Sequence, residues 1–203
     1  LLVDLVIPQG TQVQTSETDS APVLFETSHN ATIVAGQVEI IIPAIEGQIE
    51  AEQLGVSDGS AFQKFFLIKY PVITDSIKLL VDEGAGDETW LQIESYVDSI
   101  YNSKHYLVIR DDRDAATINF GDNVQGKIPN NLANISVTYR VLTTQRGGVL
   151  GNVGDGTITI INSTIMSGSN PVSLSVTNIN QASGGESQQT IDEAKRQGPA
   201  SLR

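Results

Sequence analysis

Cysteine is absent from the 203-residue sequence. The chain therefore has no disulfide, no thiolate metal site and no cysteine nucleophile, and its core must be held by packing alone. Its only two histidines, His29 and His105, lie far apart, which is a poor basis for a zinc site without cysteine. No basic cluster accompanies the net charge of −12, which argues against nucleic-acid binding, because phosphate contacts need Lys and Arg concentrated on one face.

Long apolar runs are also missing. The longest are residues 38–45, interrupted by Glu39, and residues 65–68, and a bilayer span needs roughly 20 residues. The first five residues have neither the basic region nor the long apolar region of a signal peptide. The length suits one large or two small domains that bury a real core.

Alternation of apolar and polar residues at period two is the dominant pattern in the sequence. In the clearest run, Ile135, Val137, Tyr139 and Val141 alternate with polar side chains, as in a strand with one buried face. Turns that contain glycine separate such runs, because glycine readily adopts positive φ. The pattern predicts a mainly β chain, either an antiparallel sandwich or pieces of a partly open barrel. The other alternating runs are Ile77, Leu79 and Val81; Leu91, Ile93 and Val97; and Val172, Leu174 and Val176.

One short helix is predicted near the end of the sequence, over residues 187–197. Thr190 and Glu193 have the spacing of a capping box, in which each side chain bonds to the backbone of the other residue. Gly198 followed by Pro199 would end such a helix.

The predicted domain organisation has two β parts. Residues 1–45 are expected to form an N-terminal β segment, and residues 61–203 a central β domain that ends in the short helix. Residues 46–60 are polar, acidic and interrupted by glycine, and are predicted to be a linker or a long loop.

The acidic cluster Asp111, Asp112 and Asp114 is the first candidate for chemistry. A calcium loop of the EF-hand type needs Gly at its sixth position and a bidentate Glu at its twelfth. Counted from Asp112, these positions hold Thr117 and Asn123. A solvated hairpin turn is the preferred interpretation.

A second acidic cluster surrounds the single tryptophan, Trp90. Glycoside hydrolysis needs two carboxyl groups about 5–10 Å apart, and aromatic residues usually support the sugar. Aromatic residues make up only 5% of this chain, and acidic residues beside glycine generally form exposed turns. The cluster consists of Asp82, Glu83, Asp87, Glu88 and Glu94.

No other catalytic arrangement is present in the sequence. A Gly-x-Ser-x-Gly elbow is missing, and His105 is expected to pack or hydrogen-bond at a strand edge. Gly184 and Gly185 resemble an anion-binding loop, but no Walker lysine is present and Glu186 would repel phosphate. We therefore predict no enzyme activity, no metal site and no cofactor.

A set of short motifs in a fixed order spans most of the chain and is densest from Thr117 to Arg203. The motifs are Ile7-Pro8-Gln9-Gly10-Thr11, Phe25-Glu26-Thr27, Phe120-Gly121-Asp122-Asn123, Gly126-Lys127-Ile128-Pro129, Tyr139-Arg140, Gly151-Asn152-Val153, Ala182-Ser183-Gly184-Gly185 and Gly198-Pro199. This ordered set resembles the baseplate J-like family of contractile-tail bacteriophages and related contractile injection systems, which includes the large baseplate wedge proteins. Asn123 stands where the family usually has Gly, and Gly198 where it usually has Ala.

The resemblance implies an architectural function rather than catalysis. Family members build the wedges around the tail hub, contact neighbouring copies to close a ring, and take part in the change that triggers sheath contraction. The implied partners are other copies of the chain and neighbouring baseplate or tail proteins, with no nucleic acid, membrane span or small-molecule substrate. The implied location is the virion tail baseplate, after assembly in the host cytoplasm.

The resemblance also suggests contact surfaces and a longer parent protein. The expected contacts are the turns Gly121–Asn123 and Gly147–Gly148 and the helix over residues 187–197. Family members continue beyond the position of Arg203, and no Met opens the chain, so the sequence is expected to be part of a longer protein.

A carbohydrate-binding or receptor-binding β-sandwich module of a phage tail is the alternative. It predicts a solvent-facing aromatic patch around Trp90, Tyr96 and Tyr101. A hydrolase would instead need two convergent carboxylates in a cleft, one of them with a raised pKa.

Overall fold

The computed structural model describes residues 3–16, 21–143 and 151–185, which form fifteen strands. The mainly β class predicted from the sequence is confirmed. The predicted helix over residues 187–197 lies outside the described residues. None of the described segments is a helix with the length and hydropathy that a bilayer crossing requires.

The chain divides into two compact units. Unit 1 combines Leu1–Glu46 with Thr144–Arg203, and unit 2 is Gly47–Thr143. The first division of the chain falls between Glu46 and Gly47, and Thr144–Arg203 group with the N-terminal segment and not with Gly47–Thr143. This grouping follows from strand pairing between distant segments, which the sequence pattern does not reveal.

The prediction of a linker over residues 46–60 is wrong. Most of this stretch is strand β6, Gln48–Val56, which pairs with β12, Asn134–Val141, along its length. Its half-buried positions include Glu50 and Glu52. Because two carboxylates take inward-facing positions, the apolar alternation that marks a strand is hidden in the sequence.

Unit 2 is one seven-stranded sheet in the order β6-β12-β8-β9-β10-β11-β7. Its end strands β6 and β7 come into contact, so the sheet forms a nearly closed barrel. The pairing is antiparallel, as predicted, except that β9 and β10 are parallel. The remaining strands of the unit are β7, Lys64–Phe66; β8, Val72–Asp82; β9, Asp87–Ile93; β10, His105–Arg110; and β11, Ala116–Asn119.

Side chains join β6 to the chain that follows β7. Glu52 accepts a hydrogen bond from the Ile68 amide at 3.2 Å, and Lys69 Nζ donates to Glu50 at 2.7 Å. The Tyr139 hydroxyl donates to Glu52 and accepts from the Lys69 amide. Burial, followed by the hydrogen bond to Glu52, raises the pKa of Tyr139, so the hydroxyl remains a donor. Between β6 and the residues that follow β7, hydrogen bonds from the inward-facing carboxylates of Glu50 and Glu52 therefore take the place of strand-to-strand backbone hydrogen bonds.

The core of unit 2 confirms two of the predicted alternating runs. The apolar residues of 77–81 and 135–141 are buried. The run at 91–97 is wrong: Trp90 is the buried residue of β9, whereas Leu91 and Val97 are exposed. Trp90 pairs with the fully buried Leu79 of β8, so one large ring decides which face of β9 points inward.

Unit 1 is built from small sheets. A four-stranded sheet has the order β13-β2-β3-β5, and two strand pairs, β1 with β4 and β14 with β15, accompany it. Of the predicted run at 172–176, only Val172 lies in a strand, while Leu174 and Val176 pack half-buried against apolar clusters. The strands are β1, Leu5–Ile7; β2, Gln12–Thr15; β3, Leu24–Thr27; β4, Ala31–Ile33; β5, Ala44–Glu46; β13, Ile158–Ile161; β14, Ile165–Ser167; and β15, Asn170–Val172.

Two leucines offer a matched test of the register in unit 2. Leu79 is 0% exposed and Leu91 is 61% exposed. We expect Leu79→Ala to lower the free energy of unfolding by about 2–5 kcal/mol, because it leaves a cavity. Leu91→Ala should change it by less than about 0.5 kcal/mol. Urea unfolding followed by Trp90 fluorescence measures both, and similar losses in the two variants would contradict the register.

Candidate interaction surface

The loop that carries the densest motif begins at a buried aromatic anchor. Phe120 follows β11 and packs edge-to-face against Trp90 and Phe65, with ring centroids 5.3 and 5.8 Å away. Its amide donates to the Gln63 carbonyl at 3.0 Å. The start of the loop over residues 120–133 is therefore fixed by both packing and backbone bonding.

Gly121 allows the chain to turn back on itself at once. A Cβ at this position would lie closer than 3.0 Å to the carbonyl oxygens of Gln125 and Gly126. The Asp122 carboxylate stabilises the turn by accepting from the amides of Gln125, at 2.7 Å, and Val124, at 2.9 Å. These amides hold the pKa of Asp122 below its ordinary value.

The conformation and the side chain of Asn123 both contribute to this turn. It adopts φ 64°, a left-handed conformation that Asn tolerates, and its amide donates to the Gly126 carbonyl. Its Oδ1 accepts from the Ile128 amide at 2.8 Å, a bond that glycine could not make.

Two further motif residues join the loop to its neighbours. Gly126, at φ 82°, has no space for a Cβ beside the ring of Tyr96, and its amide donates to the Ile100 carbonyl. The buried Pro129 accepts from Ser57 Oγ at 2.9 Å. We call the three bonded segments, residues 57–63, 96–103 and 120–133, the loop cluster.

Tyr96 ties the middle segment of the loop cluster to the sheet. Its hydroxyl donates to the Asn119 carbonyl at 2.8 Å, at the end of β11. Burial raises the pKa of Tyr96 to about 12, so the phenol stays neutral and keeps donating this bond.

An ion pair braces the loop cluster from the side. Lys127 pairs with Glu83, and its Nζ lies 5.9 Å from the centroid of the Trp90 ring. The second carboxylate oxygen of Glu83 accepts from the Asn130 amide at 2.9 Å. Burial raises the pKa of Glu83, but Lys127 and this amide outweigh burial and leave it below its ordinary value.

Two large apolar residues of the loop cluster are both exposed and strained. Phe62 has φ 57° and is 63% exposed, and Leu132 has φ 69° and is 75% exposed. A left-handed conformation costs a residue with a Cβ roughly 1–2 kcal/mol. Burial does not offset this cost, since both side chains face solvent. Val124, Ile100 and Tyr101 are exposed on the same three segments.

The backbone explains why Phe62 and Leu132 accept this strain. The Phe62 amide donates to the Gly121 carbonyl, and the Leu132 amide donates to the Ser57 carbonyl. Sequence reasoning missed both residues, because a positive φ at Phe or Leu leaves no compositional signal.

Tyr139 and Arg140 lie on β12, apart from the loop cluster. Arg140 is buried, and its Nη1 donates to the Gly47 carbonyl at 2.9 Å. Its backbone amide donates to Ser76 Oγ. The pair therefore supports the barrel instead of forming part of a surface.

The motif residues of unit 1 meet each other within that unit. Asn152 both accepts from the Gly185 amide and donates to the Gly185 carbonyl, at 2.9 and 2.8 Å. Gly184, beside it, has φ 104°. The Val153 amide donates to the Gly151 carbonyl. These residues clamp two distant stretches of chain.

The opening motifs form a second clamp in unit 1. The hydroxyls of Thr11 and Thr27 both donate to the Pro8 carbonyl, at 2.7 and 2.8 Å. The Gly10 amide donates to the Thr27 carbonyl. The other predicted positions, Gly147–Gly148, the helix and Pro199, lie outside the described residues.

The acidic cluster Asp111–Asp114 is a hairpin turn between β10 and β11, as preferred from the sequence. The Asp111 carboxylate accepts from the guanidinium of Arg113 and from the amides of Arg113 and Ala115. The guanidinium first, and then these amides, lower the pKa of Asp111. Within the described ranges, no three acidic or histidine side chains are grouped to hold a metal ion.

The carboxylates near Trp90 also serve their own turns. Asp82 accepts from the amides of Gly84 and Gly86, and Glu88 pairs with Lys104. Of the aromatic patch that the carbohydrate-binding alternative predicts, Trp90 is buried, Tyr96 is half-buried and Tyr101 is 65% exposed, so the patch lacks its tryptophan.

His105 is the first residue of β10, and its Nδ1 lies 2.8 Å from Ser99 Oγ. The expected hydrogen bond is confirmed, but His105 lies at the start of a strand inside the sheet and not at its edge. This bond holds the segment that precedes β10 and so helps position the loop cluster.

A scan against protein-family models and a search among curated proteins both find no match. The loop cluster must therefore be interpreted from its own geometry and from the ordered motifs.

Gly121 and Gly84 separate a steric clash from backbone strain. We expect Gly121→Ala to destabilise unit 2 by about 1–3 kcal/mol, because its Cβ would overlap backbone oxygens that cannot move freely. Gly84, at φ 99°, has open space around it, so Gly84→Ala should cost about 1 kcal/mol from φ alone. Urea unfolding measures both, and an equal or smaller loss in Gly121→Ala would contradict the described turn.

The Glu83–Lys127 pair predicts a pH-dependent contribution to stability. The lowered pKa of Glu83 means that its carboxylate stabilises the fold above its ordinary pKa and loses this effect as the pH falls through the folded value. Glu83→Gln should cost about 1 kcal/mol at pH 7, and the difference from wild type should shrink as the pH drops below about 4.5.

The exposed pair of Glu88 with Lys104 provides the control. Glu88→Gln should cost much less at pH 7, because solvent screens this pair. Thermal unfolding from pH 7 to pH 2.5 measures the three proteins. A pH-independent loss in Glu83→Gln would show that the charge of Glu83 does not matter.

Proposed function

We propose that this chain is a structural component of a contractile-tail baseplate wedge, in which the loop cluster contacts other proteins of the ring around the tail hub. The observation that carries the proposal is the exposure of Phe62 and Leu132 at strained positions. Strained backbone positions cluster at functional surfaces, and here burial of the two side chains does not offset the strain. Large apolar side chains in such positions serve contact with another protein.

The motif that resembles the baseplate family supports this interpretation. Phe120, Gly121, Asp122 and Asn123 are all used to shape one turn, through packing, close backbone approach and amide capping. A motif that specifies shape suits a protein that works through complementary surfaces. Nothing in this use of the motif calls for bond-making chemistry.

The proposed partners are other copies of the chain and neighbouring baseplate proteins, and the proposed location is the virion tail. Contacts of this kind gain most from apolar anchors within a rigid frame. The loop cluster has both, since its segments are joined by backbone hydrogen bonds and braced by the ion pair of Glu83 and Lys127.

Replacing the two strained anchors with asparagine tests the proposal. Asn tolerates positive φ, so Phe62→Asn with Leu132→Asn should leave the unfolding midpoint unchanged or raise it. Loss of two apolar anchors should weaken the contact by about 2 kcal/mol or more, roughly thirtyfold. Phe66→Thr is the matched control, because Phe66 is an exposed ring on β7 outside the loop cluster.

The measurement is particle assembly from the natural genome. The reading frame that encodes the chain is deleted and then complemented by wild type, the double variant or Phe66→Thr, and particles are counted by negative-stain electron microscopy. We expect complete baseplates with wild type and Phe66→Thr and few with the double variant. Intact contractile particles in the deletion strain, or neighbouring reading frames without tube or sheath genes, would overturn the proposal.

A further inference from the structure

The chain between β4 and β5 exposes a run of branched apolar residues. Val34, Ile40 and Ile41 are exposed, and Val38 is 93% exposed, more than any other large apolar residue described. This stretch contains the longest apolar run of the sequence, yet it contributes little to the core. Val and Ile have high β-propensity, although residues 34–43 form no strand here.

The backbone of residues 38–42 is unpaired. No hydrogen bond from any described residue reaches an amide or a carbonyl in this stretch. The stretch is nevertheless held at both ends: the Gln37 amide donates to the Val34 carbonyl, and the Ser28 amide donates to the Pro43 carbonyl, both at 2.9 Å. Pro43 directly precedes β5, so the unpaired stretch continues the line of an existing edge strand.

Two exposed carboxylates lie at this stretch: Glu39 is within it, and Asp4 accepts a hydrogen bond from the nearby Ala35 amide at 2.8 Å. The described ranges of unit 1, residues 3–16, 21–46 and 151–185, contain five carboxylates and no Lys or Arg. A second copy that paired through the same stretch would bring its own Asp4 and Glu39 to the contact, and these like charges would repel. The carboxylates are Asp4, Glu26, Glu39, Glu46 and Asp155.

We propose that residues 38–42 are a strand-addition site that binds an apolar, lysine- or arginine-bearing β-strand of a different protein. Backbone pairing would satisfy the free amides and carbonyls, the partner's branched side chains would cover Val38, Ile40 and Ile41, and its basic residues would face Glu39 and Asp4. An anionic membrane would be repelled by the same charges, and a helix would leave the backbone unpaired. The site belongs to unit 1, whereas the loop cluster belongs to unit 2, and the proposal stands whether or not the chain belongs to a baseplate.

A synthetic strand provides the probe. We would measure binding of the full chain to a fluorescein-labelled peptide of alternating Lys and Val by fluorescence anisotropy. The control peptide has the same sequence with every backbone amide N-methylated, so that it keeps its charge and side chains but has no N–H to donate from either edge. We expect the control peptide to bind at least about tenfold more weakly.

Variants of residues 39 and 40 locate the site. Ile40→Pro removes an amide that makes no bond in the fold, and should abolish peptide binding without changing the unfolding midpoint. Ile40→Thr keeps the amide and β-branching, and should bind within about threefold of wild type. Glu39→Lys should weaken binding of the Lys peptide and strengthen binding of a matched Glu peptide.

Several results would overturn the proposal. The first is failure of the wild-type chain to bind the peptide, and the second is unchanged binding by Ile40→Pro. The third is equal binding of the N-methylated peptide, which would show that charge alone attracts the peptide. Sedimentation velocity tests whether a second copy of the chain binds at this site instead. A dimer of the wild-type chain that Ile40→Pro dissociates would identify a second copy as the partner and contradict the proposed basic strand of a different protein.

Discussion

The edge-to-face packing of Phe120 against Trp90 and Phe65 is the contact on which the rest of unit 2 depends. Trp90 decides which face of β9 is buried, and Phe120 fixes the point at which the chain leaves the sheet. At that fixed point the chain turns back tightly, and only glycine fits there, because two carbonyl oxygens occupy the space that a Cβ of residue 121 would need. The exposed residues of the loop cluster are rigidly placed as a result.

Sequence patterns predicted the fold where side chains alternate cleanly. The runs around Leu79 and Val137 were recognised because apolar residues occupy every inward position. Strand β6 was missed because Glu50 and Glu52 take inward positions. Lys69 and Tyr139, which are distant in sequence, donate hydrogen bonds to these carboxylates. The face of β9 was misassigned because one tryptophan outweighs several aliphatic residues, and periodicity counts them equally.

The candidate surface was predictable only in part. The motif at residues 120–129 predicted a tight turn. The structure shows that Gly121 and Gly126 allow close backbone approach and that Asp122 and Asn123 accept hydrogen bonds from backbone amides of the turn. The strain at Phe62 and Leu132 arises from tertiary backbone bonds, which no local pattern encodes. Likewise, residues 38–42 look like a buried strand by composition, and only the topology shows that none of the fifteen described strands pairs with them.

The order of the chain through the two units has a further consequence. Unit 1 is made from two separate stretches of the chain, and unit 2 is inserted between them in sequence. The first and last strands of unit 2 pair with each other, with Gln48 opposite Val141. A module whose ends lie side by side can be exchanged, enlarged or lost without rethreading its host. Evolution can therefore vary the barrel and its loops as one inserted module. Unit 1 keeps its own structure through hydrogen bonds such as those of Asn152 and Thr11.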